Sequence, residues 1–554
     1  MSSDMMACPG DENKRHRFQL DTSPGYAGFR RTLAHFILIQ IERAKLGGYM
    51  PGAEIKNTQS TIKNKHQYID KISSIFVILF LIIISYITIA LFYRASFKIP
   101  IMYNEGWNAG LIKNFMLNGK LYYAPYDLVV NNYPPLSFFI VRSFMLFTHD
   151  AVFSGRFVSA ISFMISGFMM YKISHHELGK RLAAILSALL FIGYTDINYD
   201  LYIASDDPQM ISIAFSLIGL YIATLGNKKL FFDIFSAIIF AVSIYTKHNN
   251  IALPLSVGIW KLIYNRKEFL IFSISGITSS LILMILFTTL LGENFLIGLF
   301  SPRHYSFSRA LNLMLTYSSS MTLIIALSIL PIALFRITKF YFLVFIFIIL
   351  SFFIGTFELG GDGTGVNAYF ELLIASSLGC AVLVSHLFDG GCKFHNLRAL
   401  VILYMILGVL ITPGMNKQKS VFNFKSWNRQ INDKENVTKK IIEVIQKSNG
   451  LAICETNIYC YWAGKSFYID RFNFEQKILL GILKNNILLY GLRDAAYPVI
   501  QLDNESDVNS LLLKADDKNN FSNQLDAKEL LTKNYIKKTF SGTDVVIYQK
   551  KSPI

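Results

Sequence analysis

The chain is short of charge. Only 16% of its 554 residues are Asp, Glu, Lys or Arg, against about a quarter in a soluble protein. The scarcity is local, since residues 72–412 hold only 36 charged side chains. A soluble fold cannot be covered by so little polarity. Proline and glycine are unexceptional and no tract is of low complexity, which excludes a disordered or collagen-like chain. Cysteine is sparse too: Cys8, Cys380, Cys392, Cys454 and Cys460 show no metal-ligand spacing. Cys454 and Cys460 would stand roughly 20 Å apart on an extended strand, so a bond between them requires a turn. The first long apolar run begins near Ile72, too far along for a cleavable signal peptide, and Met50 reads as an alternative start. What remains is a mainly α, polytopic transmembrane helical bundle, with a polar N-terminal tail over 1–71, a membrane domain over 72–412 and a small α/β domain over 413–554.

The net charge of +16 would suit nucleic acid, but the basic residues cluster in short loops between apolar runs, where membrane orientation requires them. No nucleic-acid partner is expected. Runs long enough for about 20 apolar residues per span fall at 72–93, 152–173, 181–196, 208–226, 230–246, 249–264, 269–291, 313–335, 340–356, 370–388 and 397–412. The stretch 135–148 is shorter, opens on Pro-Pro, contains Arg142, and reads as an interfacial or re-entrant helix. With eleven spans and a cytoplasmic N-terminus, the inner loops carry twelve Lys and Arg, including Lys228, Lys229, Arg266 and Lys267, against Glu177, Glu268 and Asp389. The outer segments then receive eleven acids, among them Glu105, Asp206, Asp207, Glu293 and Glu358. Taking 135–148 as a span would reverse every later loop. The chemistry is therefore expected on the outer face, with the C-terminal domain there as well. That domain shows a helical pattern at 436–447, strand patterns in L-A-I-C-E, A-Y-P-V-I-Q-L and V-V-I-Y-Q-K, and apolar helices at 474–491 and 507–514.

Five outer motifs carry candidate chemistry. Glu105, in N-E-G-W-N, stands before a short helix as a lone carboxylate that can act as a general base; it can equally cap that helix. Asp206 and Asp207 precede Pro208 at the start of a span, where they could bind a divalent cation, hold an acceptor or cap the helix. Lys247 and His248 end a span, with Lys247 placed to pair with a lipid phosphate or to snorkel. Arg303 and Arg309 in S-P-R-H-Y-S-F-S-R are planar donors suited to phosphate, or else solvated loop cations. The Gly-rich stretch E-L-G-G-D-G-T-G at 358–365 permits close backbone approach but matches no nucleotide fingerprint.

Their order is more specific than any one of them. N-E-G-W-N, N-N-Y-P-P-L-S-F (131–138), S-G-R-F-V-S (154–159), D-D-P-Q-M (206–210), K-H-N-N-I-A-L-P-L (247–255) and G-V-N-A-Y-F-E (365–371) follow one another. This succession resembles the bacterial integral-membrane glycosyltransferases of the GT-C superfamily, close to its dolichyl-phosphate-mannose-protein mannosyltransferase-like and lipopolysaccharide galacturonosyltransferase-like members. The stretch C-E-T-N-I-Y-C-Y-W-A-G-K-S-F-Y-I-D (454–470) resembles their tail domain. The resemblance implies a polyprenyl-phosphate sugar donor, an active site on the outer face of the bacterial inner membrane, and an envelope lipid, polysaccharide or protein acceptor. It implies an acid in the first outer loop, matched by Glu105, a second matched by Asp207 or Asp206, and cations for the donor phosphate, matched by Lys247, His248, Arg303 or Arg309. Many members carry Asp-Glu where this chain has Asn104-Glu105, which leaves a metal requirement open. Two other readings share the many spans: a transporter or flippase of lipid-linked sugars, and a lipid-carrier-dependent polymerase. Transporters place ionisable groups near the midplane of broken helices, often in repeats, whereas here the acids gather in outer loops and no repeat is visible.

Overall fold

The computed structural model describes residues 55–225, 229–388, 394–483, 486–505 and 527–551. Every expected run is helical: Ile55–Arg94, Ala151–Leu178, Arg181–Asn198, Gln209–Leu225, Leu230–Thr246, Ala252–Tyr264, Arg266–Leu291, Phe307–Ile329, Lys339–Glu358, Phe370–Leu387 and Arg398–Leu410. Among the described residues seven helices are long and apolar enough to cross a bilayer, or eight if Arg398–Leu410 is taken with Gly414–Phe422, from which it is bent by 67°. Gln209–Leu225, Leu230–Thr246 and Ala252–Tyr264 are shorter apolar helices. The first helix begins at Ile55, inside the segment read as a tail, because neither proline nor glycine interrupts the sequence from there to Arg94.

Local signals set the helix ends. Asp150 caps Ala151–Leu178 by accepting from Val152 N at 2.8 Å and Phe153 N at 3.3 Å, and Gly179 closes that helix in the left-handed region. The 135–148 stretch is the 13-residue helix Leu136–Thr148, which follows the Pro134–Pro135 pair. Burial separates the layers of the bundle: 94% of the apolar window of Val366–Leu387 is buried, against 6% for Arg266–Leu291. The former is the central helix and the latter presents its sides outward. Where Gln209–Leu225 meets Leu230–Thr246, Ser243 Oγ lies 2.9 Å from Ser212 Oγ and 2.7 Å from Ser216 Oγ, the small polar contacts that hold helices together where water is scarce.

The C-terminal unit opens on the amphipathic helix Phe424–Lys447, twelve residues longer at its start than the pattern at 436–447 suggested. Its sheet runs β1 (Ala452–Cys454), β2 (Val499–Leu502), β4 (Val546–Lys550), β3 (Tyr535–Thr539); β1 and β2 are parallel and the other pairs antiparallel. The helix expected at 474–491 is two helices, Arg471–Leu479 and Asn486–Arg493, the first ending just before Gly481 in the left-handed region. The run at 507–514 lies outside the described residues. Helix Asn457–Trp462 supplies the turn that brings Cys454 and Cys460 into a disulfide. The unit is seated directly on helix Tyr103–Asn118: a Cβ at Gly106 would overlap the backbone of Asn457 and Ile458, so only glycine permits that approach.

Candidate active site

At the end of the bundle covered by the C-terminal unit lies a cavity of about 750 Å³. Six separate stretches of the membrane region reach it, one of them through Tyr202. Tyr103, Asn104 and Trp107 come from the start of Tyr103–Asn118, Asn132 and Tyr133 from the loop before Pro134, and Lys247, His248 and Asn249 from the turn after Thr246. Arg303 comes from the loop before helix Phe307–Ile329, and Glu358 with Gly363, Thr364 and Gly365 from the glycine-rich loop. The opposite wall is C-terminal: Glu455, Asp470, Phe472, Glu475 and Asp503. Apolar surface and a few convergent polar groups are the usual make-up of a small-molecule site.

The motifs are locked together in and behind the membrane-side wall. Tyr202 Oη donates to Asn367 Oδ1 at 3.0 Å, Asn367 Nδ2 to Gln209 Oε1 at 3.3 Å, Gln209 Nε2 to Asn250 Oδ1 at 2.9 Å and Asn250 Nδ2 to Ser212 Oγ at 2.7 Å. D-D-P-Q-M, K-H-N-N and G-V-N-A-Y-F-E are thus one network.

Three of the four expected phosphate-binding residues face the cavity. Lys247 Nζ pairs with Asp207 Oδ1 at 2.8 Å and lies 5.1 Å from the centre of the Tyr133 ring. Asp207 is otherwise filled: Oδ1 accepts from Gln209 N at 2.8 Å and Oδ2 from Asn104 Nδ2 at 2.8 Å. Arg303 donates to Asp362 O at 3.2 Å and, with the Asn132 amide oxygen turned toward it, to Asn132 through Nε at 3.1 Å. Its guanidinium stands 5.6 Å from the centre of the Phe472 ring. No carboxylate among the described residues forms an ion pair with Arg303, the nearby Asp362 being taken by His304 and Arg309. His248 opens onto the cavity, yet its depth in the protein, and next the charges of Arg303 and Lys247, push its imidazole down to about 4. That environment favours the neutral imidazole over the cation.

Arg309 does something else. It donates to the carbonyls of Leu359, Gly361 and Thr364 and so clamps the glycine-rich loop from behind. With its donors spent on the backbone, it is a positioning residue for the cavity wall.

Glu105 also departs from expectation. It is wholly buried, accepts from Arg156 Nε at 2.7 Å and Nη2 at 2.8 Å, and from Ile101 N at 2.9 Å. Arg156 in turn donates to the carbonyls of Ala95 at 3.0 Å, Phe97 at 2.7 Å and Ile99 at 2.6 Å. A carboxylate held by a bidentate guanidinium and shut behind the cavity wall is not placed to take a proton from an acceptor. Asp206 is buried beside it. Burial first, then the charges of Glu105 and Asp207, hold its carboxyl well above the usual range, and its Oδ2 has no hydrogen-bond partner among the described residues. The two adjacent acids do not form a cation site, because Asp207 is bound to Lys247 and Asn104; no group of three or more His, Cys, Asp or Glu among the described residues could hold a metal. Sequence reasoning passed over Arg156, although it stands in S-G-R-F-V-S, and Glu455 and Asp470, although both stand in the quoted C-E-T…Y-I-D stretch.

These features define a polytopic membrane protein: a helical bundle whose loops at one end, roofed by a small mixed-sheet unit, enclose a cavity with convergent polar groups. More particularly, residues 132–292 match the family described as dolichyl-phosphate-mannose-protein mannosyltransferase. The fold is that of ArnT from Cupriavidus metallidurans, whose crystal structure bound to undecaprenyl phosphate aligns at a TM-score of 0.55 and 10% identity over 85% of this chain and 97% of that one. The apo form of the same protein aligns at 0.55 and 10%, over 86% and 98%. A crystal structure of the Archaeoglobus fulgidus oligosaccharyltransferase, tethered to an acceptor peptide, gives 0.45 and 10%, over 86% and 74%. No curated protein matches the chain in sequence.

Proposed function

We propose that this chain is a membrane glycosyltransferase that takes a sugar from a polyprenyl-phosphate donor and passes it to an envelope lipid, polysaccharide or protein acceptor on the outer face of a bacterial inner membrane. The observation that carries the reading is Arg303: a cation facing the cavity with no ion-pair partner among the described residues. Taking a charge out of water is costly unless it is paired, and a phosphate in the cavity would pair it. Lys247, half-neutralised by Asp207, adds a second donor on the neighbouring wall. The donor's lipid tail stays in the bilayer, so its phosphate reaches the protein at the ends of the helices, where this cavity lies. As the bond from sugar to phosphate breaks, charge grows on the phosphate oxygen, and fixed cations there lower the barrier. The family match over 132–292 includes Tyr133, Asp207 and Lys247, and the shared fold with ArnT agrees with a lipid-phosphate ligand.

Purified protein in liposomes, given undecaprenyl-phosphate sugars labelled in the sugar and an envelope extract from a strain lacking the gene, is expected to release undecaprenyl phosphate and to label the extract. Labelled donor carried intact to the other leaflet, with no sugar lost, would instead make the protein a transporter.

The charge asymmetry of the loops supports the outer face as the side of the proposed site. A periplasm-dependent alkaline phosphatase fused after Ile554 is expected to be active and a fluorescent cytoplasmic reporter at the same point dark. The reverse pattern would move the proposed site to the cytoplasmic face.

A further inference from the structure

If the proposed transfer is right, an acceptor hydroxyl or amine must lose a proton, and the residues expected to take it do not face the cavity. The cavity's own acids are mostly spoken for. Glu455 is paired with Arg471 and accepts from Asp503 N at 2.9 Å. Asp470 accepts from Tyr103 Oη at 2.7 Å and from Asn473. Asp503 accepts from Thr456 Oγ1 at 2.7 Å and Gln501 Nε2 at 2.8 Å. Asn104 faces the cavity at the first-loop position, but an amide holds no proton-accepting charge; it donates to Asp207 and, at 3.2 Å, to Tyr133 Oη.

Two lining carboxylates remain. Glu475 makes no hydrogen bond with a described residue, but it belongs to the C-terminal wall, where its charged neighbours are Arg471 and Asp362. Glu358 is the last residue of helix Lys339–Glu358, just before the glycine-rich loop, on the membrane side of the cavity. Its single hydrogen bond among the described residues is a long one, 3.5 Å from Asn249 Nδ2. Asn249 follows Lys247 and His248 in the turn that supplies a phosphate-facing cation, and all three line the cavity with Glu358. A base for glycosyl transfer must stand beside the anomeric carbon, which is one bond from the phosphate oxygen. Glu358 is hydrogen-bonded to the turn that carries Lys247 on the membrane side, where the lipid-borne phosphate arrives, whereas Glu475 stands on the roof.

We infer that Glu358 is the general base of this cavity, which rests on the glycosyltransferase reading above. The acceptor's O–H or N–H proton passes to the Glu358 carboxylate while the freed electron pair forms the new bond to the anomeric carbon. The bond from that carbon to the phosphate oxygen breaks and its electrons leave on the phosphate, beside Arg303 and Lys247. The carboxylic acid then returns its proton to water in the cavity. Asn249 is the positioning residue that holds the carboxylate toward the turn.

The test compares Glu358→Gln, Glu475→Gln and the unaltered protein, each in liposomes with labelled undecaprenyl-phosphate sugar and either the envelope extract or sodium azide as acceptor. Azide needs no deprotonation, so its attack bypasses a base. Glu358→Gln is expected to lose about 10²- to 10⁴-fold with the extract, to bind undecaprenyl phosphate as the unaltered protein does, and to form glycosyl azide at close to the unaltered rate; any loss in Glu475→Gln, a wall residue, is expected to be equal on both acceptors. The inference falls if Glu358→Gln keeps its rate with the extract, if it loses rate equally with azide, or if Glu475→Gln is the variant rescued by azide. Donor left unconsumed by the unaltered protein with both acceptors would overturn the glycosyltransferase reading, and this assignment with it.

Discussion

Replacing Arg156 with alanine is expected to destabilise the fold by about 3–5 kcal/mol, the cost of breaking one side of a buried ion pair. Arg156 is 2% exposed and Glu105 is fully buried. The substitution takes the guanidinium from the Glu105 carboxylate and from the carbonyls of Ala95, Phe97 and Ile99, of which Phe97 keeps the Ile99 N–H. Those carbonyls lie in the link between the first long helix and Tyr103–Asn118, so the damage falls on the segment that places Tyr103 and Asn104 in the cavity. Thermal unfolding in detergent and the amount of protein in the membrane measure it. Glu105→Gln separates the structural role from a catalytic one: it is expected to lower the unfolding temperature while the molecules that remain folded still turn over. A Glu105→Gln protein of normal stability with abolished turnover would restore Glu105 as the base.

Arg303→Ala is expected to cost about 10²- to 10³-fold in turnover at limiting donor, the usual effect of removing one fixed donor from a site of developing negative charge. Lys247→Ala should cost at least as much, but part of that loss comes from leaving Asp207 buried beside no cation, so its effect on folding must be measured beside its rate. Arg303→Lys keeps the charge without the planar fork and is expected to fall between the two. Normal turnover of Arg303→Ala at limiting donor, in protein that elutes as a single folded species, would show that the donor phosphate is held elsewhere.

The helices were legible because apolar runs announce themselves one residue at a time, and so were β1, β2 and β4, which are apolar. β3 was not: of Tyr535–Thr539 only Tyr535 is buried, so the strand carries no alternating signal and owes its place to the backbone of β4. The split of 474–491 turned on one glycine in a run that otherwise reads as continuous. Lys247, His248 and Arg303, which line the cavity, stood out as candidates because a polar residue at a helix end contrasts with apolar sequence. Their company was not visible. Whether Glu105 is a base or half of an ion pair depends on Arg156, 51 residues further along, and whether Arg309 meets a ligand or a backbone depends on the loop at 359–364. Sequence shows which groups are unusual, and only the fold shows which of them already have partners.

The roof over the cavity has a consequence for how the protein is made. Residues 455–503 supply one whole wall, and they follow all the long helices in the chain. A ribosome that has just released helix Arg398–Leu410 has delivered Lys247, Arg303 and Glu358 to the membrane but has not yet made Asp470 or Phe472. The unfinished chain therefore carries these side chains with no enclosed chamber around them. The chamber is complete only when the final stretch has been made and has settled against Gly106, so on the proposed reading no transfer is expected from a chain still being built.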